Sequence, residues 1–232
     1  MRDSIYTSGS YGSLHPTWHA EDSPWKARQI YRILQQYDIH PKEIAEVGCG
    51  AGVILSELQQ LLPSTCEFRG YDIAPQAIAV AKQRENDRLR FDVANIDQLK
   101  SNHVDVLLLI DVIEHVEDYF SLLRIAKEIA DYTVLHIPLD IHLQSVLRVT
   151  PITDTITNVG HLHHFTRETA LILLEQAGFQ IRGWNYTAGA VELPKTERRT
   201  RLARVPRRAA FAVAPDLAVR VLGGYSLMVL VT

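Results

Sequence analysis

Apolar and polar positions alternate between two periods along this chain. Trp25, Ile30, Ile33, Leu34 and Tyr37 recur at helical spacing after Ser23-Pro24, which reads as an N-cap followed by proline in the first helical turn, and Pro41 stops the pattern. A short apolar run, Ile44–Val47, ends in glycines, and Val53–Leu62 then places Val53, Ile54, Leu58, Leu61 and Leu62 on one helical face. Glu67–Tyr71 reads as a second strand. A helix opened by Pro75 and a third strand at Leu89–Asp92 come next. Val104–Ile110 (VDVLLLI) is almost continuously apolar, as a parallel strand covered on both faces should be. A helix over Tyr119–Ala130 and a strand over Tyr132–Ile137 extend the alternation. Thr166 then caps a helix carrying Leu171, Leu174 and Ala177 that stops at Gly178, and late strands fall at Phe179–Tyr186 and Tyr225–Val231. Strands and helices alternating at this spacing predict a parallel α/β sheet with right-handed crossovers.

Composition narrows the class. The chain has 232 residues, 47% of them hydrophobic and 22% charged, with a net charge of -3. These values suit a globular domain able to bury its own core, and exclude collagen-like, disordered and disulfide-stapled proteins. Cys49 and Cys66 fit free thiols in a reducing compartment. The polar first residues lack the apolar core of a signal peptide, and no apolar run approaches the roughly 20 residues that span a bilayer. A soluble cytoplasmic protein is expected. The charge is uneven: residues 195–208 hold seven basic side chains against Glu197, or +6, which leaves -9 on the rest. Arg201, Arg204 and Arg208 share one face if this segment is helical, although Pro206 interrupts it. Such a segment is either a solvated face or an attractor for an anionic acceptor or membrane surface.

The chemistry concentrates in Glu46-Val47-Gly48-Cys49-Gly50-Ala51-Gly52, between the first strand and its helix. Glycines there let a ligand approach the main chain, and the helix beyond offers free N–H groups. Asp72 ends the next strand, where a carboxylate can accept from a ribose diol. The dinucleotide fingerprint G-x-G-x-x-G requires glycine at position 53, which is Val53. Glu46 sits poorly beside a pyrophosphate and well beside a cationic ammonium and sulfonium.

With these residues the sequence resembles the class I S-adenosylmethionine-dependent methyltransferases. Tyr71-Asp72-Ile73, Phe91-Asp92-Val93, Ile110-Asp111-Val112-Ile113-Glu114-His115-Val116 and the segment Gly160–Gly178 extend the resemblance over most of the chain. It implies one domain over residues 1–232, with an N-terminal cover in 1–40, a core in 41–232 and a basic insertion at about 195–220. The implied fold is three-layered, doubly wound and Rossmann-like. Its seven-stranded sheet is mostly parallel with an antiparallel last strand. The implied cofactor is S-adenosyl-L-methionine, leaving as S-adenosyl-L-homocysteine. On this resemblance Gly48, Cys49, Gly50 and Gly52 line the methionine part, and Glu46 orients its amino group. Asp72 holds the ribose with Ile73 on the adenine, Asp92 accepts from the adenine amino group with Val93 beside it, and Asp111 lies near the methionine moiety.

The expected reaction is methyl transfer to an oxygen or nitrogen of a small molecule. Methylation of protein or nucleic acid and a non-catalytic cofactor-binding module are the alternatives. Against nucleobase amines, [ND]-P-P-[YFW] is absent after the fourth strand, and no nucleic-acid partner is expected. A hydroxyl acceptor benefits from a base with pKa near 7, which makes His115, His161 and His164 candidates. Cys49 reads as a loop filler, because no His, Lys or Arg adjoins it to lower its pKa. No metal site is expected, since no cysteine or nearby carboxylate completes four ligands around His161, His163 and His164. Trp18, His19, Trp25 and Lys26 read as a lid over the cofactor or as a helix docked on the sheet.

Overall fold

A computed structural model describes residues 20–193 and 198–232; Trp18, His19, residues 195–197 and the side chain of Arg201 lie outside the described residues. The strands are β1 (Glu43–Val47), β2 (Glu67–Asp72), β3 (Leu89–Val93), β4 (Val104–Ile110), β5 (Ala130–Pro138), β6 (Ile181–Thr187) and β7 (Ser226–Val231). They form one sheet in the order β3-β2-β1-β4-β5-β7-β6. The first five are parallel, and β7 runs antiparallel to both β5 and β6. This is the doubly wound, mostly parallel sheet with an antiparallel last strand that the sequence implied.

One face of the sheet is covered by α1 (Ser23–Gln36), α2 (Val53–Leu61) and α3 (Pro75–Ala81), through Ile30, Leu34, Leu55, Leu58 and Ile78. The other is covered by α4 (Tyr119–Ile129), α5 (Arg167–Gln176) and α6 (Pro215–Leu222), through Leu123, Ala126, Leu174 and Val219. Val106, Leu107 and Leu108 of β4 are fully buried because the strand lies between both layers. Asp105 is the polar exception, and its carboxylate accepts from the backbone N–H of Lys42 and Glu43 at 2.5 and 2.9 Å, fixing the start of β1.

Three local expectations change. Helix α1 is preceded by a 3₁₀ turn over Ala20–Asp22, so Asp22 rather than Ser23 occupies the N-cap position. A helix over Arg198–Val213 runs through Pro206. The missing N–H removes one helical bond, while Arg204 donates to the carbonyls of Val191 and Glu192 and Arg207 to that of Leu222, which tie the helix to its neighbours. Between β5 and α5 the chain makes short helical segments, Leu143–Arg148, Thr150–Asp154 and Thr155–Val159, broken at Val149 with φ +61°.

Candidate functional site

The carboxyl ends of β1, β2 and β4 open into a cavity of about 1150 Å³, as ligand sites in open α/β sheets do. Its glycine loop is built by close approach. A Cβ on Gly48 (φ +77°) would lie 2.7 Å from Val112 Cγ2, and one on Gly52 (φ +73°) would lie 2.4 Å from the Phe91 ring. The loop is tied to β2 by the N–H groups of Gly48 and Cys49, which donate to the Tyr71 carbonyl at 2.8 and 3.1 Å. The Asp72 carboxylate accepts from Gly50 N–H at one oxygen and from Ala74 N–H at the other, both at 2.8 Å. Burial raises its pKa against those bonds. Each oxygen keeps a lone pair for a diol at the cavity wall.

Glu46 lines the same wall. It is 1% exposed, and its Oε2 has no hydrogen-bond partner among the described residues. Burial pushes its carboxyl well above the ordinary range, Lys26 opposing and Asp72 adding to the rise. An unpartnered buried carboxyl is unfavourable unless a donor arrives, so this position suits a cation. Burial also raises the Cys49 thiol well above its usual value, which leaves it un-ionised and inert.

Asp111 follows β4 with φ +54°. Its Oδ2 meets Lys26 Nζ at 2.6 Å and its Oδ1 meets His136 Nδ1 at 2.5 Å. Burial alone would raise its pKa, but His136 and Lys26 hold it well below the ordinary carboxylate range. The other ring nitrogen of His136 lies 2.8 Å from Thr187 Oγ1, and Lys26 also reaches Asp22 at 2.9 Å. The side chain expected to face the ligand is therefore spent largely on fastening α1 to β4, β5 and β6. Trp25 packs edge-on to His136, and its indole N–H donates to Glu192 at 2.7 Å.

A second wall comes from the 3₁₀ turn Ile113–His115, through Glu114 and His115, and from the loop after Gly160. The Glu114 carbonyl accepts from the N–H groups of Leu162 and His163 at 2.7 and 3.1 Å, which brings His161 beside the turn. The rings of His115 and His161 stand edge to face, centroids 4.9 Å apart. His115 Nδ1 lies 3.2 Å from the Gly160 carbonyl, and His161 Nδ1 lies 2.6 Å from Asp140 Oδ2. Glu114 is fully buried with neither carboxylate oxygen hydrogen-bonded among the described residues.

Of the residues singled out by sequence, the cavity gathers Glu46, Gly48, Cys49, Gly50, Asp72, Ile73, Val93, Asp111, His115 and His161. Gly52, Asp92 and His164 are not on its lining. Gly52 makes room for Phe91, Asp92 is exposed, and His164 bonds Thr155 at 3.0 Å and lines a second hollow of about 570 Å³ with Tyr119 and Phe165. Sequence reasoning did not reach Asp140, His136, Thr187 or Asn95. Only the last had a local signal, its capping box with Gln98.

Comparisons with known proteins bear on the fold and the family. A family model described as a methyltransferase domain matches residues 45–131. A ubiquinone biosynthesis O-methyltransferase of Nitrosospira multiformis is 26% identical over 95 residues, 38% of each chain. One of Rickettsia canadensis is 32% identical over 121 residues, 47% of this chain and 46% of that protein. The alignments thus span less than half of these relatives. Among solved structures, the plantazolicin methyltransferase BpumL, in complex with a desmethylPZN analog and SAH, has a TM-score of 0.63 at 15% identity, covering 99% of this chain and 92% of that one. A SAM-dependent methyltransferase from Archaeoglobus fulgidus has a TM-score of 0.56 at 20% identity, covering 88% and 93%.

Proposed function

We propose, from the match of residues 45–131 to a methyltransferase-domain model and the likeness of the fold to a solved SAM-dependent methyltransferase, that the protein transfers a methyl group from S-adenosylmethionine to an oxygen of a small molecule. The observation that carries the reading is that two groups of polar residues line one cavity. Glu46, Gly48, Gly50 and Asp72 form one, and Glu114, His115, Asp140 and His161 form the other.

The first wall fits the cofactor. The orphan Glu46 oxygen suits its ammonium, the Cβ-free loop lets its methionine part lie on the main chain, and Asp72 presents two oxygens to the ribose. When bound, S-adenosylmethionine supplies a methyl carbon on a sulfonium, whose sulfur keeps the electron pair of the broken C–S bond. This chain's residues hold donor and acceptor in line, which is worth effective molarities of about 10⁵–10⁸ M. Trp25 and Lys26, held down by Glu192 and Asp111, exclude water from the mouth. The second wall is where the acceptor hydroxyl gives up its proton.

Oxygen is preferred to nitrogen because an amine needs no such wall, and because both curated relatives are named O-methyltransferases. Neither protein nor nucleic acid is favoured as acceptor, since Glu114 and His161 on the cavity lining are buried. Calorimetry with S-adenosylmethionine and methyl transfer to a panel of phenols, catechols and amines test the proposal. Cofactor binding lost in Asp72→Ala, with turnover on hydroxylated acceptors, is expected. No cofactor binding, or turnover on amines alone, would overturn it.

A further inference from the structure

Glu114 is the least explained polar side chain among the described residues. Its carboxyl is fully buried, both oxygens lack hydrogen bonds among the described residues, and Lys26, the cation whose charge acts on it, is already engaged by Asp22 and Asp111. Leaving such a group unmatched in an interior is costly unless a positive charge completes it. Beside it stand His115 and His161, and one potential ligand atom from each of the three lies within 4.8 Å of the others.

The surroundings of the two imidazoles decide what that charge is. His115 presents Nδ1 to the Gly160 carbonyl and His161 presents Nδ1 to the Asp140 carboxylate. The carboxylate on Nδ1 of His161 fixes its tautomer and makes Nε2 the lone-pair donor, which is how metal-bound histidines are oriented. The backbone holds the geometry in advance, because the Glu114 carbonyl accepts from the N–H groups of Leu162 and His163, the two residues that follow His161. From the sequence, metal binding was set aside for want of a nearby carboxylate. Folding delivers two, Glu114 from the β4 turn and Asp140 from the end of β5.

We propose that Glu114, His115 and His161 bind a divalent transition-metal cation, with Asp140 orienting His161, and that the remaining coordination positions take the oxygen of the methyl acceptor. Two imidazoles and one carboxylate suit zinc, cobalt, manganese or iron(II) better than magnesium or calcium, which prefer oxygen sets. At bond lengths of about 2.0–2.2 Å a tetrahedral ion draws its ligands to roughly 3.4 Å apart, so the three side chains close inward on loading. The site borders the cavity, which leaves the open positions on the acceptor side.

The inference rests on the methyl-transfer reading for its substrate but not for its test. A hydroxyl bound to the cation loses its proton to solvent at a lower pH, as metal-bound water does. The resulting oxyanion forms the new O–C bond as the C–S bond breaks and the electron pair passes to sulfur. His161 then acts as a ligand rather than as a base.

The full chain, stripped with chelator, would be titrated with Co²⁺ while its visible d–d absorption is followed, and with Zn²⁺ by calorimetry. One equivalent should bind, with absorption of a low-coordinate N/O site and a raised melting temperature. Glu114→Gln and His161→Asn should each weaken binding more than about 100-fold, and the milder Asp140→Asn about 10–100-fold. Asp72→Ala should lose cofactor binding and keep the metal, which separates failure of the methyltransferase reading from failure of this one. No stoichiometric binding of Co²⁺ or Zn²⁺ by the folded wild-type chain would overturn the proposal. So would unchanged binding in folded Asp140→Asn and Glu114→Gln.

Discussion

Lys26 of α1 and Asp111 at the end of β4 form an ion pair with Nζ and Oδ2 2.6 Å apart, so the first described helix is bolted to the middle of the sheet beside the ligand cavity. The pair is mostly enclosed: the lysine side chain is 10% exposed and the aspartate 28%. Removing one partner leaves the other uncompensated. Lys26→Met should therefore destabilise the fold by about 2–4 kcal/mol, and the double variant with Asp111→Asn by less than the sum of the single changes. Urea denaturation of the four proteins checks this, and strict additivity would contradict it.

Asp111 also sets an acid limit. Its folded pKa is depressed by His136 and Lys26, although burial alone would raise it, so its contribution is fully present above about 3.9, the unfolded value, and fades as pH falls from there. Stability measured from pH 6 down to pH 2 should fall less steeply in Asp111→Asn than in wild type. Parallel curves would remove Asp111 from the acid response.

Glu46 behaves in the opposite sense. Its folded pKa is raised by burial, so the ligand-free site retains a proton above about 4.3, where the unfolded carboxyl has lost it. A cationic ligand favours the ionised form, so cofactor binding should release a proton and strengthen as pH rises through that window. Calorimetry in two buffers of different ionisation enthalpy measures the release directly. Glu46→Gln should lose at least tenfold in affinity and show no release; equal proton release in the variant would assign it elsewhere.

Gly52 separates packing from binding. Alanine there meets both a left-handed backbone, φ +73°, and the Phe91 ring at 2.4 Å. Gly52→Ala should cost about 2–4 kcal/mol, and part of the loss should return with Phe91→Leu, which retracts the ring. No rescue would mean that backbone strain alone accounts for the loss.

Trp25 tests the cover. Trp25→Phe removes the 2.7 Å bond to Glu192 while keeping most of the apolar contact. A loss of about 1 kcal/mol in stability is expected, with turnover falling further than cofactor affinity. Turnover unchanged in Trp25→Ala at normal stability would leave α1 as scaffold only.

The strands and the glycine loop could be read from sequence because each is fixed by neighbours in the chain: VDVLLLI can only be a doubly covered strand, and Thr166 is paired to Thr169 three residues on. The segments at Leu143–Arg148 and Thr150–Asp154 escaped because five or six residues complete too little of a helical period to show a face. His115 and His161 are legible one by one, but their assembly with Glu114 and Asp140 is not, for another reason. Glu114 and His161 are 47 positions apart, and they meet through long-range contacts such as the hydrogen bonds from Leu162 and His163 to the Glu114 carbonyl and from His115 to Gly160. Asp111 was legible as a cavity residue but not as the anchor of Lys26, 85 positions away, since no local pattern encodes a partner at that distance.

The place of β7 between β5 and β6 carries a consequence for biosynthesis. Among the described residues strand β6 pairs with β7 alone, and β5 keeps one edge bare until β7 arrives. A nascent chain emerging from the ribosome can assemble β1 to β5, but Ile181–Thr187 must wait about 40 residues for its partner. Thr187, which holds His136 and through it Asp111, is placed only then. The ligand cavity is thus among the last parts of the molecule to mature, and chaperone protection of the exposed β5 edge is most needed just before Ser226–Val231 is translated.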